Sequence, residues 1–403
     1  MHIAFLTPEY PNESRPEGGL AAYLQKVSVG LVERGYRVTV FIAGPDPDSL
    51  DEENGVWLYR VRQGWVQRLA RHLPSAMQKG FALVGQVQTA GRIAQRVWQV
   101  HRRQPIDLIQ TSSYLTPGYA LRRNGSITLV CRLSSYTPLY RAALGRKRGM
   151  YDHWADWLEI RQVLDADATF APSVLTAQCF ARLEGRLPDV IRTPLDQAQP
   201  LSDAYGNLAE LGDRRYLLYF GRLNRGKGVD LIAEILPQLF DRHSDLSMVF
   251  IGRDEGMPGV PSFGDYLRQR ARSYPDRLIV LPPLAKEQLY CIIGGAIGVL
   301  VPSRVDNYPN ACLEALMLGV PVVGTRESSL DEVIVHGRTG FLAENGSAES
   351  LFAAVERLLA LSVEERQVMQ QTIREAVAAI RSEDRLGELV AYYEQAIADF
   401  HRS

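Results

Sequence analysis

The sequence predicts an α/β protein made of two doubly wound parallel-sheet domains. Three observations carry that prediction. Short apolar strands alternate with amphipathic helices, the alternation runs once near the N-terminus and again from about residue 216, and 403 residues exceed what one ordinary core fills. Such alternation gives parallel strands joined by crossover helices.

In chain order, HIAFLT predicts a first strand, a helix spans about Leu20 to Arg34 with Gly35 as its stop, and RVTVFIAG predicts the next strand. The second half repeats this grammar. YLLYFGRL, SMVFIG, RLIVLPPL, GVLVPS and PVVGTR read as strands, with helices at about Val229 to Phe240, Tyr266 to Tyr274, 287 to 296 and from Pro309 onward. Each half therefore reads as a Rossmann-like domain, one covering 1–200 and the other 201–383. The proline-rich stretch at about 187–215 is the best linker. A last amphipathic helix, 384–403, is expected to pack back on the first domain.

Composition narrows the class. With 46% hydrophobic and 23% charged residues the chain has the make-up of a soluble globular protein. Cys131, Cys179, Cys291 and Cys312 lie far apart without metal-ligand spacing, which suggests a reducing compartment. No signal-peptide pattern and no run of 18 apolar residues is present, so the expected location is cytoplasmic. The net charge of −1 hides an asymmetry: residues 54–151 carry sixteen lysines and arginines against the single acid Asp107. Within this run RQGWVQRLARHL and GRIAQRVWQVHRR mix Trp, Val and Leu with Arg. Such segments could lie on an anionic membrane or hold an anionic acceptor, or could simply be crossover helices with solvated faces. Nucleic acid is not expected, since no stacking platform is evident.

Ligands of open α/β sheets bind where strands end and helix N-termini offer free N–H groups to phosphate. Three segments have that equipment. PEYPNESRPEGGL puts Gly18 and Gly19 before a helix, although glycine pairs are also common turn formers. FGRLNRGKG places Arg222 and Lys227 five residues apart in a glycine-punctuated loop, where a guanidinium and an ammonium could both reach a phosphate; a solvated basic turn is the plainer reading. PSRVDNYPNACLEALMLGVPVV sets Asp306 in a loop and Glu314 more than one turn into the helix that starts at Pro309. Two acceptor-only carboxylates suit neutral sugar hydroxyls, while an ordinary cap and an ordinary helix glutamate are the alternative.

Together these motifs resemble the family 4 retaining glycosyltransferases of the GT-B fold, also described as glycosyl transferases group 1. The resemblance spans most of the chain and includes APS at Ala171–Ser173, TPLD from Thr193 and GRTGFL at Gly337–Leu342. It implies two Rossmann-like domains facing a cleft and a hexosyltransferase that needs neither cofactor nor metal. The donor is a nucleotide-diphosphate sugar. By the same resemblance Arg222 and Lys227 neutralise the leaving diphosphate, Asp306 holds the donor sugar and Glu314 binds the ribose. Gly19 lies against the diphosphate, the backbone near Leu284 reads the base, and Gly18, Gly221, Asn307, Tyr308, Pro309 and Asn310 complete the donor contacts. Tyr10, Ser134 and Ser135 face the acceptor. The acceptor that the resemblance implies is a glycan or lipid-linked molecule in cell-envelope polysaccharide or glycolipid synthesis. A GT-B epimerase or phosphorylase, or a non-catalytic binding partner, is the alternative.

The sequence departs from the family at two places. Asp306 stands where the family has Glu and is one methylene shorter. The stretch LVCRLSSYTP has Ser134 or Ser135 where the family commonly has a cleft His, and serine cannot titrate near neutral pH. The D-x-D spellings at Asp46–Asp48 and Asp165–Asp167 are expected to be a turn and a helix end, not metal ligands. His153 and His336 are isolated, and the sequons at Asn124 and Asn345 carry no function in a cytoplasmic protein.

Overall fold

The computed structural model describes residues 1–11, 19–70, 72, 74–185, 187–195, 211, 214–256, 259–260 and 262–402. The chain divides into two compact units. The first holds Met1–Pro138, Lys147–Pro194 and Asp384–Ser403; the second holds Leu139–Arg146 and Leu195–Glu383.

The first unit runs β1 (His2–Thr7), α1 (Gly19–Glu33), β2 (Arg37–Gly44), β3 (Ser49–Glu53), β4 (Val56–Arg62), α2 (Trp65–Ala70), α3 (Ser75–His101), β5 (Leu108–Ser112) and β6 (Thr128–Arg132). It continues through α4 (Thr137–Ala143), most of which groups with the second unit, then α5 (Met150–Leu164), β7 (Ala168–Ala171), α6 (Val174–Glu184) and β8 (Asp189–Val190). The sheet order is β3-β4-β2-β1-β5-β6-β7-β8. Every residue of β1, β5 and β6 is buried, as expected for strands covered on both faces by helices.

Two parts of this sheet escaped the sequence reading. β3 pairs antiparallel with β4 through a turn at Asn54 and Gly55, both at positive φ (51° and 77°), the geometry that Asn-Gly favours in a tight hairpin. β8, formed by Asp189 and Val190, adds a short parallel edge to β7 from within the predicted linker. Most of the rest of that linker, 196–210 and 212–213, lies outside the described residues.

The second unit is β9 (Arg215–Phe220), α7 (Val229–Arg242), β10 (Leu246–Ile251), α8 (Phe263–Arg270), β11 (Leu278–Leu281), α9 (Lys286–Gly295), β12 (Gly298–Val301), α10 (Asn310–Met317), β13 (Val322–Thr325), β14 (Gly340–Ala343), α11 (Ala348–Leu359) and α12 (Val363–Ser382). All its strands pair in parallel in the order β11-β10-β9-β12-β13-β14. In the unit's own strand sequence this is 3-2-1-4-5-6, so the direction of winding reverses between β9 and β12. A ligand crevice forms at such a switch point because the loops from the two strands lead to opposite faces.

The chain then returns to the first unit with α13 (Arg385–Phe400). Its apolar stripe, Leu389, Val390, Tyr393 and Ala396, joins the core under α1 and the sheet. Tyr393 is fully buried, and its hydroxyl and that of Tyr23 both donate to Gln110 Oε1, at 2.5 and 3.2 Å. A Cβ on Gly30 of α1 would stand 2.5 Å from Leu386 Cδ1, so glycine there lets the two helices close.

Candidate active site

The reversal between β9 and β12 brings together two of the predicted motifs. β9 ends at Phe220 and Gly221, whose φ is 129°, turns the chain after it; the loop closes in a 3₁₀ turn, Arg225–Lys227. Asn224 caps that turn by accepting from Lys227 N at 3.0 Å and donates to Glu255 Oε2 at 2.7 Å. The buried Tyr219 hydroxyl donates to the Arg222 carbonyl at 2.6 Å. Gly228, at φ 73°, then starts α7 so close to the next loop that a Cβ would lie 1.9 Å from the Pro302 carbonyl oxygen.

From the neighbouring strand, the loop after β12 reaches back. Lys227 Nζ donates to Asp306 Oδ2 at 2.6 Å, with the two side chains only 23% and 12% exposed. The shorter acid thus meets the lysine directly. Arg304 forms a two-pronged pair with Asp230 (2.6 and 2.8 Å) and also donates to the Arg225 carbonyl at 2.6 Å. It therefore ties the 3₁₀ turn, α7 and the Asp306 loop into one body. Replacing Arg304 with methionine keeps the stem but leaves Asp230 with its bidentate partner gone. We expect a loss of about 1.5–3 kcal/mol, the worth of hydrogen bonds to a charged group, because Arg225 Nε stays 3.7 Å from Asp230; urea unfolding reads it, and an unchanged midpoint would mean that the loops are held by other contacts.

Asp306 is fixed from a third side by hydroxyls. Its N–H donates to Ser328 O at 3.1 Å, Ser303 Oγ lies 3.4 Å from its Oδ2, and the fully buried Thr325 hydroxyl donates to Ser303 O at 2.5 Å. Ser328 Oγ donates to Thr325 O at 2.7 Å. The loop after β13 also bends through Glu327 and Ser329 at positive φ (54° and 67°), a conformation that costs a non-glycine residue free energy and concentrates at functional sites.

The predicted donor residues fall as follows. α10 begins at Asn310, and Pro309 is the cap before it, with ψ of 72° rather than a helical value. The expectation that the helix starts at Pro309 is therefore corrected by one residue: Pro309 uses its carbonyl to accept the first helical bond, from Leu313 N at 3.0 Å. Asn307, Tyr308 and Asn310 are half-buried around this junction, and Glu314 is half-buried in the middle of α10. Leu284 follows β11 and packs its side chain on the second unit's core. Arg222 donates to the Tyr140 hydroxyl at 3.0 Å and lies 3.7 Å from Glu255 Oε1. Cys312, buried on α10, is an unreactive thiol because burial, with the Asp306 charge added, pushes its pKa far up.

The first unit gathers the other predictions on the carboxyl ends of adjoining strands. Gly19 is the first residue of α1, and Gly18 lies outside the described residues. Tyr10, beyond β1, stands 3.1 Å from Ser28 Oγ of α1, and burial raises its pKa. Ser134 is buried after β6: its N–H donates to Ser113 Oγ at 3.0 Å, and its own oxygen accepts from Arg132 Nη1 at 3.0 Å. Ser135 O accepts from the same Ser113 hydroxyl at 3.3 Å. Arg132 is itself buried and stacks its guanidinium 3.8 Å from the Tyr23 ring centre.

Three of the four acids of the D-x-D spellings hold the scaffold together. Asp48 accepts from Arg62 N at 2.7 Å and pairs with Arg92 and Arg96; Asp165 receives Arg122, Arg123 and Arg161; Asp167 accepts from Leu129 N at 2.7 Å. These pairs also change the reading of the basic run. Arg60, Arg92, Arg96, Arg122, Arg123 and Arg148 are each paired with acids that lie outside residues 54–151, namely Glu53, Asp51, Asp48, Asp165 and Asp156. The fold thus answers these six of the sixteen basic residues of the run with acids from outside it.

Two α/β units, the second with basic and acidic groups converging at its switch point, have the GT-B fold, and the family matches make the chain a glycosyltransferase. Residues 18–195 match the glycosyl transferase 4-like domain, residues 214–361 match the glycosyl transferases group 1 domain, and the chain belongs to that group. An uncharacterized glycosyltransferase of Methanocaldococcus jannaschii is 22% identical over 386 residues, covering 89% of both chains. The D-inositol 3-phosphate glycosyltransferase of Pseudarthrobacter chlorophenolicus is 23% identical over 85% of this chain and 82% of its own. Among solved structures, sucrose-phosphate synthase from Thermosynechococcus elongatus superposes with a TM-score of 0.78 at 20% identity, covering 98% of this chain and 99% of its own. No helix among the described residues is long and apolar enough to cross a membrane.

Proposed function

We propose that the enzyme is a retaining glycosyltransferase that takes its sugar from a nucleotide diphosphate and passes it to a hydroxyl group. The observation that carries this reading is the Lys227–Asp306 contact at the β9/β12 reversal, with Arg222 on the same loop and Glu314 along α10. A lysine ammonium has three donors. It can therefore keep Asp306 and still bind a phosphate oxygen, which links the sugar end of the donor to its leaving group. Arg222 adds a planar fork suited to the same diphosphate. Glu314 is one turn farther along α10, where a carboxylate accepts from ribose hydroxyls.

On this reading the acceptor hydroxyl attacks the anomeric carbon from the face that the diphosphate leaves, and a leaving phosphate oxygen takes the hydroxyl proton. The bond to the diphosphate breaks as the bond to the acceptor forms. No protein nucleophile is needed, and serine at 134 and 135 in place of an imidazole is compatible with transfer. The protein's part is orientation and stabilisation of the leaving charge. Relatives named for inositol 3-phosphate, sucrose phosphate and trehalose phosphate suggest testing phosphorylated acceptors beside the envelope glycans and glycolipids expected from the family.

A thermal-shift panel of nucleotide sugars tests the donor. At 100 times its dissociation constant a donor stabilises its unit by about 2.7 kcal/mol, a rise of roughly 5 to 11 °C for a unit of this size. Glu314→Ala is expected to lose most of that rise. A panel with no rise would remove the nucleotide-sugar reading, and a product with inverted anomeric configuration by NMR would remove retention.

A further inference from the structure

The second unit has a cleft at the opposite end of its sheet, where the central strands β9 and β12 begin. It encloses about 330 Å³ and is lined by Arg215, Ile297, Leu361, Val363, Arg366 and Gln370, together with Leu359 and the Gly295–Ala296 turn. A volume of this order falls at the lower end of small-molecule sites. The walls divide into an apolar side, from Ile297, Leu359, Leu361 and Val363, and a side made by two guanidinium groups. No acid lines it.

The two arginines are held differently. Arg215 is half-exposed and its Nη1 lies 3.1 Å from Asp245 Oδ2. Arg366 donates to two backbone carbonyls, Ile297 O at 3.2 Å and Leu358 O at 3.3 Å, and among the described residues no carboxylate pairs with it. Burial, with Arg215 adding to it, lowers the Arg366 pKa from its ordinary value. The nearest acid on α12, Glu365, is turned into the helix's own capping box, accepting from Ser362 N at 2.8 Å. Two like charges thus share one concave site in which Asp245 answers Arg215 alone and no carboxylate among the described residues answers Arg366, an arrangement that an anion relieves. Guanidinium forks match phosphate oxygens in geometry.

We propose that this cleft binds a small phosphate-bearing anion with an uncharged body, at a site separate from the donor loops. Its floor is the start of β9 and the turn into β12, whose far ends carry Lys227 and Asp306. The phosphate faces Arg366 and Arg215, and the body lies on Leu359, Leu361 and Val363.

The test uses the full chain carrying Arg222→Ala and Lys227→Ala, so that the donor loops contribute no phosphate affinity of their own. Its melting temperature is measured in inorganic phosphate, in glycerol 3-phosphate and in chloride at matched ionic strength. The expected result is a rise of about 2–4 °C with a phosphate probe over chloride. Adding Arg366→Gln or Gln370→Glu to that background should erase it. Gln370→Glu is needed because Arg366→Gln also surrenders the contacts to Ile297 and Leu358, whereas the glutamate only adds a negative charge to the cleft. A larger rise with glycerol 3-phosphate than with phosphate supports an organic body; equal rises that both substitutions erase support a phosphate site without one. Phosphate also stabilises proteins by exclusion from their surfaces, so a rise that persists in both variants would overturn the proposal, as would no rise with either probe.

Discussion

Lys227→Ala is expected to lower the kcat of transfer by about 10² to 10³, the usual cost of removing one preorganised group from a developing negative charge. The lysine joins both loops of the β9/β12 reversal: its backbone N–H is capped by Asn224 and its ammonium donates to Asp306 at 2.6 Å. Its removal has a second effect. Asp306, 12% exposed, would keep its hydroxyl contacts but lose its cation, so some stability should go with the activity. Asp306→Asn added to Lys227→Ala should restore part of that stability and cost little more in rate. Groups that act as a unit are not additive. Kinetics with the donor found by the thermal panel, together with melting temperatures of the single and double variants, would check this. A Lys227→Ala enzyme that keeps more than about a tenth of the wild-type kcat, outside the range expected for such a group, would remove the lysine from the leaving-group role.

The largest stability effect is expected from Gly228→Ala. The added Cβ would meet the Pro302 carbonyl oxygen at 1.9 Å, and the residue sits at φ 73°. Left-handed backbone costs a residue with a side chain about 1–2 kcal/mol, and forcing apart well-packed backbone adds about 1–3 kcal/mol. Together they give a loss of about 2–5 kcal/mol, equivalent to a fall of roughly 4–20 °C. Gly319→Ala is the internal control: its φ is 76°, but nothing lies within 4 Å of its Cβ position, so only the backbone term should appear. Urea unfolding of the two variants separates the terms. Equal losses would mean that the loop after β12 yields to the Cβ, and that Gly228 is required only for its φ.

Much of this molecule was legible in residue order because its signals are local. HIAFLT and RVTVFIAG are strands over the residues expected, and the helices after Gly18 and Gly228 begin where a glycine precedes an amphipathic run. Arg222, Lys227, Asp306 and Glu314 stood out because each lies at a strand end or in the helix that follows. The Asn54–Gly55 hairpin was equally local and could have been read from the dipeptide alone.

What residue order left open was partnership across long separations. Nothing in GRLNRGKG says that its lysine pairs with an aspartate 79 residues later, or that Arg304 closes on Asp230 and Thr325 on Ser303. The basic run from 54 to 151 read as a positive stretch because charge was counted along the chain, whereas the acids that pair with part of it arrive from Asp48, Asp51, Asp156 and Asp165 through the fold.

The sequence by itself determined the alternation of strands and helices, the glycine turns and the kinds of side chain offered at each strand end, since all three depend on neighbours a few residues away. Only the tertiary structure decided the order of the strands, and with it the reversal between β9 and β12 where those side chains meet. That order is set by which apolar faces can be buried together, and burial is a property of the packed chain rather than of any segment in it.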